Sequence, residues 1–219
     1  MEFVSIGPYC KTAEILIANN LRQNAYPFDY IFSSLEIVHH CIKDKFKIFL
    51  DKKYYSRGNC KYSTRHNFYC KYLDTDILLK HHINDNYNSD YQVSNGNLFN
   101  HHNLLQNASH YEAFKRRANR LLNLIDNGEN VVFVYYNCYT NTFDDVIHFS
   151  KYFNDNKNIY KNIYIIGIFE NNGNKKILYE SENCKIYQNY THTDIFNETK
   201  YIFNKKDEIK SEHNHQVFL

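Results

Sequence analysis

Two uninterrupted apolar runs decide most of what this chain can become: Val131–Tyr136 (VVFVYY) and Ile163–Phe169 (IYIIGIF). Neither alternates polar with apolar residues, so neither suits a strand with one wet face. Both suit strands buried on two sides, as in a parallel sheet covered by helices. Between them, Thr142 and Asp145 have the spacing of a capping box ahead of Val146, Phe149 and Phe153, which share one helical face. Met1–Ile6 reads as a first strand and Lys185–Tyr190 as a weaker last one. The expected fold class is therefore α/β, a mainly parallel central sheet with helices on both faces.

Three further helices are legible upstream. The first runs from Cys10 to Leu21, with Ala13, Leu16, Ile17 and Leu21 on one face; the second follows a Ser33-Ser34 cap through Leu35, Val38, Cys41 and Ile42. The third starts at Ser109, packs Tyr111, Phe114, Ala118, Leu121, Leu122 and Ile125, and stops at Gly128. Residues 51–100 keep neither period and are expected to be an irregular insertion over the sheet's edge or top. With no linker rich in Gly, Ser or Pro, the chain reads as one domain over 1–203 and a charged, fraying tail over 204–219.

The chain has 219 residues, 43% of them hydrophobic, enough for a sizeable core, and a net charge of +2 that gives no reason to expect a nucleic-acid partner. Acidic Glu2 leads directly into the first strand and no apolar run is long enough to span a bilayer, so neither secretion nor a membrane is expected, and the cytoplasm is. The six cysteines, at 10, 41, 60, 70, 138 and 184, form no C-x-x-C pair and read as free thiols. Their spacing to the histidines matches no metal-ligand pattern, so no metal or cofactor is expected. The oligomeric state is not legible.

Chemistry is best sought where Gly7-Pro8 turns the chain from the first strand into a helix that opens at Cys10. Unpaired N–H groups and the helix dipole at that point favour an anion and can lower a thiol pKa. A thiolate nucleophile needs a base, usually held by a third group. Of twelve histidines, His101-His102 stand out, at the junction between Leu98-Phe99 and the loop into the third helix; His66 and His81-His82 are weaker candidates. Each also reads as an ordinary loop residue.

Four segments occur in succession: Ser5-Ile6-Gly7-Pro8-Tyr9-Cys10, Ala25-Tyr26-Pro27-Phe28-Asp29-Tyr30, Phe99-Asn100-His101-His102-Asn103 and Arg116-Arg117-Ala118-Asn119-Arg120, followed by the apolar strand 130–137. This order resembles a family of bacteria and large DNA viruses described as papain-like cysteine peptidases, a domain of unknown function. Its members carry S-L-G-x-x-C, A-x-P-F-D-W, F-x-H-[HD] and R-R-x-x-R elements. The resemblance spans about residues 3–140, with Tyr30 where tryptophan is usual and Tyr136 where an arginine is expected.

The resemblance implies Cys10 as nucleophile, His102 or else His101 as general base, and Asp29 or Asn103 as the group orienting the base. Asp29 reads equally well as a turn residue. Arg117 and Arg120 are candidates for an anion clamp, or a solvated helix face, and a peptide or small anionic molecule is the implied substrate. The papain-like label also implies a nucleophile helix packed on an antiparallel barrel, whereas periodicity gives a parallel sheet. Two alternatives remain: a non-catalytic module binding an anion in the Gly7-Pro8-Tyr9-Cys10 turn, and an acyl- or phosphoryl-transfer enzyme on the same scaffold.

Overall fold

The two apolar runs form the middle of a five-stranded sheet. In the computed structural model, which describes residues 1–31, 33–52, 55–57, 68–70, 97–99, 102, 107–138 and 143–216, β5 (Val131–Asn137) and β6 (Ile163–Phe169) pair in parallel. Every residue of both is buried. β1 (Glu2–Ser5) pairs in parallel with β5, β8 (Cys184–Gln188) in parallel with β6, and β7 (Lys176–Glu180) antiparallel with β8, so the order is β1-β5-β6-β8-β7.

Alternate side chains of the buried strands feed two cores. On one face Phe133, Tyr135, Ile163 and Ile165 meet α2 (Leu35–Lys43), α3 (Ala108–Asp126) and α4 (Asp144–Asp155) through Val38, Phe114, Leu121, Phe149 and Phe153. On the other, Val132, Val134, Tyr164, Ile166 and Ile168 meet Ile15 and Leu16 of α1 (Lys11–Ala18) and Ile195, Phe196 and Phe203 of α5 (His192–Gln216). The mainly parallel sheet with helices on both faces is thus the observed architecture. Full burial of rings such as Phe28, Phe114 and Phe133 stabilises the fold by roughly 1.5–3 kcal/mol each.

Several local expectations need correction. α1 ends at Ala18, and Ile15 rather than Ile17 joins the core; Ile17 is 45% exposed. The cap of α3 is Asn107, whose side chain accepts from the His110 N–H at 3.2 Å, and α4 begins after Phe143 with no side-chain cap bond, Thr142 lying outside the described residues. Ser34 does cap α2, accepting from Ile37 N–H at 3.3 Å. A second sheet appears where only irregular chain was expected: β2 (Tyr55–Arg57), β3 (Phe68–Cys70) and β4 (Asn97–Phe99), antiparallel throughout. Beyond residue 203, α5 runs on to Gln216. Among the described residues, no helix is long and apolar enough to cross a membrane.

Residues 22–31 and 33 are tied to the chain at both ends of β1. Tyr26 donates to Glu2 Oε2 at 2.9 Å and Arg120 Nη1 donates to the Ala25 carbonyl at 2.6 Å. At the other end the Ser33 N–H donates to the Pro8 carbonyl at 3.1 Å, while the Thr12 hydroxyl donates to the Gly7 carbonyl at 2.5 Å. Gly7 sits at φ +108°, where a Cβ would lie 2.8 Å from the Ser33 carbonyl oxygen. Strain and overlap act together there. Gly7→Ala is expected to cost about 2–3 kcal/mol, lowering Tm by several degrees; an unchanged melting curve would show that the turn is not held this tightly.

Candidate functional site

The Gly7-Pro8 turn leaves β1 at its carboxyl end and delivers Cys10 as the N-cap of α1, partly exposed. Its backbone is already helical (φ −55°, ψ −24°), its carbonyl accepts from Glu14 N–H at 3.0 Å, and its side chain makes no capping bond. The thiol is therefore not spent on the helix end. Burial and then the Glu14 carboxylate, one turn along the helix, push its pKa above the ordinary thiol value; Lys11 and the backbone pull the other way without prevailing. The depressed pKa that a helix N-terminus leads one to expect is not found, because here desolvation and a nearby carboxylate outweigh the dipole.

Asp29 is 1% exposed, and its Oδ2 takes three donors: Arg22 Nε at 2.9 Å, Arg22 Nη2 at 2.7 Å and the Tyr26 N–H at 2.9 Å. These bonds close the Tyr26–Asp29 turn and fix Arg22, whose guanidinium also lies 5.6 Å from the centre of the Tyr30 ring. Burial pushes the carboxyl up against the pull of Arg22 and Arg117. The turn reading of Asp29 is the one its bonds express, its donors among the described residues being Arg22 and the Tyr26 N–H.

His102 precedes α3 and packs edge-on against Phe114 and His110, with ring centres 5.0 and 5.2 Å away. The Arg117 guanidinium covers the same Phe114 ring at 5.0 Å. Arg117 is thus part of a half-buried group with Asp29 and Arg22, while Arg120 is bonded to the Ala25 carbonyl; neither belongs to a freely solvated helix face. His101, Asn103, His66 and the His81-His82 pair lie outside the described residues. Among the described residues, the charged groups acting on Cys10 are Glu14 and Lys11.

Sequence reasoning missed a second constellation at the same edge of the sheet. Cys138, exposed just past β5, has its Sγ 3.0 Å from the Tyr9 hydroxyl. Tyr136 donates to Glu170 Oε2 at 2.7 Å, and Glu170 Oε1 lies 3.3 Å from His192 Nε2. Tyr9, assigned to substrate binding from the sequence, is thereby engaged by a cysteine 129 residues away. Only the position of Cys138 after a buried strand hinted at this.

The Glu14 contact makes a direct test. Removing its charge in Glu14→Gln is expected to lower the Cys10 pKa and speed iodoacetamide alkylation of Cys10 at neutral pH, read by peptide mass. An unchanged or slower rate would mean that Glu14 does not hold the proton on this sulfur.

No curated protein and no solved structure matches the chain. A family model does, over residues 1–168, with the description "Putative papain-like cysteine peptidase (DUF1796)". Since the match covers well over half of the 219 residues, the chain belongs to that family.

Proposed function

We propose that this protein is a cysteine-dependent hydrolase of papain-like type, with Cys10 as nucleophile and His102 as general base, acting on a peptide or small anionic substrate. The observation that carries the reading is a partly exposed thiol placed between β1 and α1, at the carboxyl edge of a parallel sheet, in a chain of this family. Open α/β sheets bind ligands at that edge. With its pKa held up, the thiol rests protonated, so the mechanism needs a base acting during attack rather than a preformed thiolate. N–H groups in the first turn of α1 would receive the oxyanion. Because Asp29 is committed to Arg22 and its own turn, Asn103 is the better choice to orient the imidazole. A peptidyl epoxide is expected to label Cys10, with labelling lost in Cys10→Ser and slowed about a hundredfold in folded His102→Ala. Labelling of His102→Ala at the wild-type rate would remove His102 from the mechanism.

A second reading, an anion-binding module, is favoured by the arginine group. Asp29 Oδ1 and Arg117 Nη1 are both buried with no hydrogen-bond partner among the described residues, the guanidiniums of Arg22 and Arg117 act on the Asp29 carboxylate, and the positive charge of Arg120 acts in turn on Arg117. An excess of positive charge with an unused donor suits an oxyanion. Inorganic phosphate is then expected to raise Tm of the wild type and not of Arg117→Ala; equal shifts in both would exclude this site.

A further inference from the structure

The Cys138 constellation is independent of the Cys10 reading and lies partly outside the family match, which ends at residue 168. Four elements converge on it. The β1–α1 turn contributes Tyr9, β5 contributes Tyr136 and leads into Cys138, the end of β6 contributes Glu170, and the start of α5 contributes His192. Tyr9 and Tyr136 are fixed by burial in the α1/α5 core, with their rings 6.5 Å apart, and the His192 ring stands edge-on to Tyr136 at 5.9 Å. The sulfur, by contrast, belongs to an exposed residue. A thiol open to solvent, held by the Tyr9 hydroxyl and near enough to the Tyr136 hydroxyl to interact with it, is arranged for reaction rather than for packing.

We propose that Cys138 is a second reactive thiol that accepts acyl groups from activated esters, with Tyr136 passing the thiol proton to Glu170. In the step, Sγ bonds to the acyl carbon and the bond from that carbon to the leaving oxygen breaks, releasing the leaving group as an anion. The S–H proton moves to the Tyr136 oxygen while the Tyr136 proton moves to Glu170, so the tyrosine ends neutral and the carboxyl group carries the proton until it passes to water. Tyr9 donates its hydroxyl hydrogen to the sulfur as charge develops there.

His192 is a positioning residue for Glu170. Burial holds its imidazole below the ordinary histidine value, with the positive charge of Lys11 acting in the same direction and Glu170 against it. At neutral pH the ring is then uncharged, and Glu170 is not neutralised by an imidazolium.

p-Nitrophenyl acetate added to the full chain tests this, with p-nitrophenolate release followed by absorbance and the acetyl group located by peptide mass. Acetylation is expected at Cys138 in the wild type and in Cys10→Ser, and is expected to disappear in Cys138→Ser. Tyr136→Phe, which keeps the ring, is expected to slow acetylation at neutral pH about tenfold or more, with the deficit shrinking at higher pH, where hydroxide replaces the relay as proton acceptor. Glu170→Gln should behave likewise, and Cys41 and Cys184, both buried, should stay unlabelled as the sign that each variant is folded. Absence of acetyl at Cys138, or equal rates for wild type and Tyr136→Phe across the pH range, would overturn the proposal; loss confined to Cys10→Ser would overturn it in favour of the first thiol.

Discussion

The rest of the structure depends on β5 and β6 being buried on both faces. Seven consecutive buried residues in each of two parallel strands leave no wet side, so helices must cover each face and the connections must cross over the sheet. The same constraint governs chemistry. A polar group in the middle of either strand would be desolvated without compensation, so reactive side chains collect where the strands end. Cys10, Cys138, Glu170 and His192 all follow a strand's carboxyl end, and each strand brings a different one.

This arrangement sets the Cys10 thiol and the Cys138 thiol in contrasting surroundings. Cys10 stands at a helix start, yet partial burial and a carboxylate within its own helix keep it protonated. The Cys138 sulfur meets the Tyr9 hydroxyl and also interacts with Tyr136, whose hydroxyl donates to a carboxylate. Helix-terminal position alone is a poor guide to thiol ionisation, because the dipole contributes at most a modest stabilisation that a nearby carboxylate can cancel.

How much of this was legible in the sequence follows from how local each signal is. β5, β6 and α3 were readable because their patterns are set by burial of consecutive or periodic residues. β7 was not, since it is an edge strand whose side chains are largely exposed and carry no alternation strong enough to register. Ile17 was misplaced because α1 is only eight residues long, too short for its period to determine one face. The paired arginines could be found by sequence motif, but the bonding of Asp29 to Arg22 depends on a turn that brings the two together. The Tyr9 and Cys138 contact joins distant parts of the chain through the parallel pairing of β1 with β5, and no local spacing encodes it.

The family match stops within β6, whereas one of the two cores is closed by Ile195, Phe196 and Phe203 of α5. The stretch by which the chain is recognised and the stretch that folds are therefore different lengths. A fragment trimmed to the recognisable part would leave the face carrying Val132, Val134 and Ile166 covered by α1 alone, and the rest of that oily half-sheet would have to aggregate, recruit another cover or stay unfolded. Any dissection of this protein into working pieces has to cut beyond α5, at a boundary drawn by packing instead of by likeness.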